Sequence, residues 1–366
     1  MASSKSSLVL LVMCLILLTS VFLEAESKAF FVFGDSMVDS GNNNYMATLI
    51  RADKPPYGID YPGQLVTGRF TNGYNIPDLI SQAIGEEPTL PYMSPNLTGE
   101  KLLVGANFAS GGVGILDETL FFFGNQIKIT MQMQNFEEYQ QRLKDIIGHE
   151  ETERLVNKAL TLVTLGANDL ANNYYFPYSP TPWMFSLPDF VDYLISQYSK
   201  VLKRLYHLGL RRVMVTGTGP LGCAPAELAL RSQDGKCSPE LQTASTLFNT
   251  QLQALLESLN CEIGSDVFIG ALTRQTNLDF IFNPKKYGFV TSKIACCGQG
   301  PYNGQGQCTN TSNLCSNRDL HVFWDAFHLS ERACSIVVQQ MVSGSTDYMS
   351  PMNISTIMVL DADDVL

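Results

Sequence analysis

Five short runs of the chain are apolar at nearly every position, with amphipathic stretches between them. The runs are AFFVFGDS (29–36), KLLVGANFA (101–109), ALTLVTLGAND (159–169), RRVMVTGTG (211–219) and SDVFIGAL (265–272). A strand covered on both faces needs unbroken apolarity rather than alternation, so these runs predict the strands of a parallel sheet. MQMQNFEEYQQRLKDII (131–147), LPDFVDYLISQYSKVLKRLYHLG (187–209) and PELQTASTLFNTQLQALLESLN (239–260) carry apolar residues at helical spacing. Gly148 and Gly209 stand where the first two should stop. SERACSIVVQQMV (330–342) reads as a last helix. Alternating strands and helices imply right-handed crossovers and an open doubly wound sheet. No repeat or low-complexity linker intervenes, so residues 28–366 are expected to form a single α/β/α domain with long decorated loops.

The stretch LVLLVMCLILLTSVFL (8–23) follows Lys5 and is followed by EAESKA (24–29). A basic start, an apolar run and small residues at Ala25, Ser27 or Ala29 predict a secretory signal over 1–27, cleaved within 25–29. A membrane anchor is the alternative, for which the run is short; no later stretch is long and apolar enough to span. The expected product is therefore secreted, without a stable membrane span, and monomeric. A net charge of −11 with no basic stripe excludes a nucleic-acid partner.

Secretion changes the meaning of the cysteines. Cys14 leaves with the signal, and Cys223, Cys237, Cys261, Cys296, Cys297, Cys308, Cys315 and Cys334 remain. An even number in an oxidising compartment predicts disulfides without fixing their pairing. ACCGQGPYNGQGQC (295–308) reads as a stapled loop. No Cys or His spacing suits zinc, and no metal or other cofactor is expected. Asn96, Asn310 and Asn353 head Asn-x-Ser/Thr triplets, the glycan acceptor pattern.

In doubly wound sheets, ligands bind beyond the carboxyl ends of the strands. Polar clusters stand at three of those ends: Asp35-Ser36, Ser110-Gly111-Gly112, and Gly166-Ala167-Asn168-Asp169. Serine becomes a nucleophile only beside a base, and histidine suits that task near neutral pH. His149 and His207 fall at the ends of charged helices and are expected on the surface. His328 follows Asp325 by three residues, close enough for a carboxylate to orient an imidazole. The competing readings are that Asp325 caps the last helix, or that His321 with Asp319 supplies the base. An oxyanion would need N–H donors, available from Ser36, from Gly111 or Gly112, and from the Asn168 amide. A plain turn and a helix cap are the bland alternatives there. No G-x-S-x-G elbow occurs, which argues against an α/β-hydrolase. Asn42–Asn44 are assigned to a loop with no catalytic role. LDETLFFFGNQIKITMQMQNF (116–136) offers Phe121–Phe123 as core, with the wall of an acyl pocket as the alternative.

Gly34-Asp35-Ser36, NFASGG (107–112), GAND (166–169) and DAFH (325–328) resemble, in order, the four blocks of the GDSL esterases/lipases of the SGNH hydrolase superfamily. FVFGDSMVDSGNNN, GRFTNGYNIPDLI, GTGPLGCAP and YMSPMNI are similar to the large secreted plant branch. Met37 departs from the leucine of the name-giving motif, a change of shape that packing tolerates. The resemblance implies a flavodoxin-like three-layer α/β/α fold with a five-stranded parallel sheet. It implies Ser36 as nucleophile, His328 as base, Asp325 as its orienting partner, and Ser36, Gly112 and Asn168 as the oxyanion hole. The activity implied is hydrolysis of carboxylic esters, on small-molecule, lipid or polysaccharide substrates. Acyl transfer to cuticle or cell-wall acceptors, and non-catalytic wall or lipid binding, are the alternatives.

Overall fold

The computed structural model describes residues 28–271 and 276–363. The signal expected over 1–27 lies outside them. Strands β1 (Phe30–Gly34), β2 (Gly105–Asn107), β3 (Leu160–Thr164), β4 (Arg212–Thr216) and β5 (Phe268–Ala271) form one sheet in the order β2-β1-β3-β4-β5. All neighbours are parallel, with Phe30 paired to both Gly105 and Leu160.

Within β1 the side chains alternate between two buried faces, so every position must be apolar. Phe31 and Phe33 enter a core with Phe136, Tyr139, Tyr198 and Phe248. These come from helices α2 (Ile129–Ile147), α4 (Leu187–His207) and α5 (Pro239–Ile263), on one side of the sheet. The helix α3 (His149–Lys158) joins α2 to β3. Phe30 and Val32 point the other way, toward Ile80, Val337, Met341 and Ile357. Those belong to α1 (Ile76–Ala83), α6 (Glu331–Ser343) and α7 (Ile354–Asp363). The three-layer arrangement is the expected one.

The boundaries differ where glycine or capping intervenes. The second run yields a strand of only three residues, because Gly99–Leu103 turns as a 3-10 helix. At Gly105, with φ +107°, an added Cβ would lie 2.0 Å from the Phe30 carbonyl oxygen. Helix α1 carries no long periodic signal; Asn75 and Asp78 make it, each side chain accepting the other's backbone N–H.

Six of the eight cysteines pair, as Cys223–Cys237, Cys296–Cys315 and Cys297–Cys308. Cys261 and Cys334 do not. The first is exposed on α5 and the second is on the buried face of α6, in layers on opposite sides of the sheet. Asn96 and Asn310 are exposed, whereas the Asn353 amide donates to the Gly344 carbonyl at 2.8 Å and its oxygen accepts from Thr356. Among the described residues no helix is long and apolar enough to cross a membrane.

Candidate active site

The carboxyl edge of the sheet gathers the polar clusters. Gly34 closes β1 with φ +142°, and an added Cβ there would lie 2.3 Å from the Thr164 carbonyl oxygen. Only glycine lets β1 run so close to the end of β3. The chain then turns: Met37 N–H donates to the Asp35 carboxylate at 3.0 Å, and Asp39 N–H to the Asp35 carbonyl. This corner holds Ser36 half-buried at the strand end.

His328 arrives from the far end of the chain. Its Nε2 lies 2.8 Å from Ser36 Oγ, and its Nδ1 lies 2.8 and 2.9 Å from the two Asp325 oxygens. A carboxylate against Nδ1 selects the tautomer with hydrogen on Nδ1, leaving Nε2 to accept from the serine hydroxyl. Asp325 Oδ1 also accepts the N–H groups of Phe327 and His328, at 2.9 and 2.8 Å. Its Oδ2 accepts the hydroxyl of Tyr57 at 2.7 Å. Burial by itself raises the Asp325 carboxyl; the His328 ring and these donors outweigh burial and hold it below its ordinary value.

The competing readings fail on geometry. Ser330, not Asp325, caps α6, accepting from Ala333 N–H. The His321 ring sits against the Ile294 carbonyl at 3.0 Å, away from Ser36. His149 and His207 are exposed, as expected.

The loop after β2 brings backbone donors to the same place. Gly111 N–H is committed to Asp39 and Asn43, both at 3.1 Å. The N–H groups of Ser36 and Gly112 have no acceptor among the described residues. Gly112 and Asn168 line one cavity together with Ser36 and His328. The Asn168 amide spends one hydrogen on the Val113 carbonyl at 3.0 Å, and its oxygen accepts from Asn172. Its second N–H remains available. Asp169 makes no helix cap: its carboxylate accepts Ile115 and Leu116 N–H and the Thr119 hydroxyl, fixing the chain just beyond Gly112.

Asn42–Asn44 do more than fill a loop. They lie in a 3-10 turn in which the Asn42 and Asn43 side chains tie the serine corner to the segment 107–111, while Asn44 donates to the Thr67 carbonyl. Asn42 donates to the carbonyls of Asn107 and Ala109. Asn43 donates to the Gly111 carbonyl and accepts the Ser110 hydroxyl at 2.6 Å. Asp39, beneath them, is raised to about 6 by burial, against the pull of the Gly41, Asn42 and Gly111 N–H groups. Burial likewise pushes Asp35 up to about 7.

The cavity measures about 480 Å³ and is walled mainly by apolar side chains, among them Ile50, Phe70, Phe123, Phe176 and Phe327. Phe123 is thus a wall residue and Phe122 is 76% exposed, so these two do not belong to the core expected for the Phe121–Phe123 run. The cavity could take an apolar group next to Ser36. Tyr57 was not anticipated. It is a single aromatic in a loop without periodicity, 268 residues from the carboxylate it meets.

Comparison with known proteins gives the family. A family model described as GDSL-like Lipase/Acylhydrolase matches residues 30–341. The GDSL esterase/lipase LTL1 of Arabidopsis thaliana is 60% identical over 343 residues, covering 93% of this chain and 94% of that protein. GDSL esterase/lipase At4g28780 of the same plant is 60% identical over 337 residues, covering 92% of each. A third, GDSL esterase/lipase At5g18430, is 57% identical over 351 residues, covering 95% of this chain and 97% of its own. A match this long, over a range that includes the blocks that meet at the sheet edge, means that the chain belongs to the GDSL-like lipase/acylhydrolase family.

Proposed function

We propose that the protein is a secreted serine hydrolase of carboxylic esters that works through an acyl-enzyme on Ser36. The observation that carries the reading is the chain of contacts Ser36 Oγ, His328 Nε2, His328 Nδ1, Asp325, opening on an apolar cavity. Ser36 Oγ attacks the ester carbonyl as His328 Nε2 takes its proton. The carbonyl oxygen gains negative charge, and the N–H groups of Ser36 and Gly112 with the Asn168 amide receive it. Collapse breaks the bond to the alcohol, which leaves with the proton from His328. A water then gives a proton to His328 and attacks the acyl carbon, and Ser36 Oγ leaves with that proton returned. Asp325 holds the ring in register and stabilises its cationic form, without itself taking the proton.

The leader pattern at 1–27 and the three disulfides support an oxidising, extracellular setting. Exposed Asn96 and Asn310 are the acceptors we assign to glycans. A fluorophosphonate should label the purified protein, and p-nitrophenyl butyrate should be hydrolysed. Ser36→Ala should lose both while keeping its melting temperature within a few degrees. Undiminished turnover in Ser36→Ala would remove Ser36 from the mechanism, and labelling without net hydrolysis would redirect the acyl group to another alcohol.

A further inference from the structure

We infer that Tyr57 is a positioning residue for this reaction, its hydroxyl fixing the plane of the Asp325 carboxylate that orients His328. The inference rests on the roles proposed above for Ser36, Asp325 and His328. Its ground is how the donors divide between the two Asp325 oxygens. Phe327 N–H and His328 N–H both go to Oδ1, and both belong to the turn that Asp325 itself begins. Among the described residues Oδ2 receives only His328 Nδ1 at 2.9 Å and the Tyr57 hydroxyl at 2.7 Å. Without Tyr57, the carboxylate is pinned at one oxygen and can rotate about its Cβ–Cγ bond. His328 Nδ1, shared between two oxygens at 2.8 and 2.9 Å, would lose its symmetric seat.

Tyr57 is itself held firmly enough to act as a fixed point. It is 4% exposed, and its ring meets Phe70 edge-on at 6.2 Å and Trp324 at 6.1 Å. Phe70 in turn lies 4.9 Å from the His328 ring, so one aromatic touches both partners of the carboxylate. Trp324 precedes Asp325 in the chain, and its carbonyl accepts Cys297 N–H at 2.7 Å. The disulfide Cys297–Cys308 packs in the same cluster as Tyr57. The stapled loop of the sequence thereby acquires a task, which is to back the tyrosine that backs the carboxylate. Burial, and then the nearby Asp325 charge, push the phenol well above its ordinary value, so it remains a donor at every working pH.

Tyr57→Phe keeps the ring and removes only the hydroxyl. On p-nitrophenyl butyrate the variant should lose about tenfold in kcat, the scale of one hydrogen bond to a charged group, with KM changed by less than about twofold. In an Asp325→Asn background the same substitution should cost less than about twofold, because the carboxylate it acts through is gone. Melting temperatures of all four proteins report whether the fold is kept. A Tyr57→Phe enzyme with wild-type kcat would overturn the inference. So would an equal loss in both backgrounds, which would mark a general structural role, or a loss confined to KM. A wild-type protein that neither hydrolyses the ester nor takes the fluorophosphonate fails at the earlier reading, and the inference falls with it.

Discussion

Replacing Asn168 with Ala separates the developing charge from the rest of the reaction. The side chain offers one free N–H to the cavity, beside the backbone N–H groups of Ser36 and Gly112. Loss of a single oxyanion donor costs about 2.7–4 kcal/mol, or roughly 10²–10³ in kcat. The same change removes two ground-state bonds, to the Val113 carbonyl and from the Asn172 amide. Val113 is buried and pays for its lost partner, while half-exposed Asn172 can turn to water. About 1–2 kcal/mol of stability should go, a fall of a few degrees in Tm for a chain of this size. The assay is steady-state hydrolysis of p-nitrophenyl butyrate, run well below both melting temperatures, with Tm measured in parallel. KM should stay within about threefold, since the donor is used in the transition state and not in binding. A folded Asn168→Ala enzyme whose kcat lies within fivefold of wild type would refute the placement of the oxyanion at Asn168.

Asp35→Asn should raise Tm at pH 8 and leave it nearly unchanged at pH 4. The Asp35 carboxyl is raised to about 7 in the folded protein from 3.8, so folding favours its proton and stability falls as pH rises between those values. The amide removes that burden only where the carboxyl would be ionised, and an equal shift at both pH values, by differential scanning fluorimetry, would contradict the cause. Asn96→Gln and Asn310→Gln should each remove one glycosidase-sensitive step in mass when the protein is produced by a secreting host. Asn353→Gln should remove none, its amide being engaged with Gly344; a third step lost there would show that glycan transfer precedes the capping of α7.

Much of this site could be read from the chain because each part falls at the end of an element with strong patterning. Uniformly apolar runs mark β1 and β3, so the polar residues that end them, Ser36 and Asn168, stand out. What escaped depends on contacts between distant segments. Gly111 and Gly112 are equivalent in sequence; only the commitment of Gly111 N–H to Asp39 and Asn43 distinguishes them. The three asparagines read as turn formers, which they are, but the amide contacts of Asn42 and Asn43 to the carbonyls of Asn107, Ala109 and Gly111 have no periodic trace. Asp325 lies so close to a helix start that sequence alone leaves capping open; the structure gives that position to Ser330. Tyr57 illustrates the limit most clearly, since nothing about a tyrosine in a proline-rich loop announces a carboxylate from the other end of the chain.

The separation of Ser36 and His328 by 292 positions has a consequence for when the protein can act. The five strands are complete by Ala271, but the face of β1 that carries Phe30 and Val32 is covered by α6 and α7, which follow later in the chain. His328 follows a segment held by Cys296 N–H on the Phe323 carbonyl and Cys297 N–H on the Trp324 carbonyl. The pairing of Ser36 with His328 therefore exists only in a chain whose C-terminal part has been made and packed. By the same logic, capture of a fluorophosphonate counts finished molecules, and can serve as a clock for the last step of maturation.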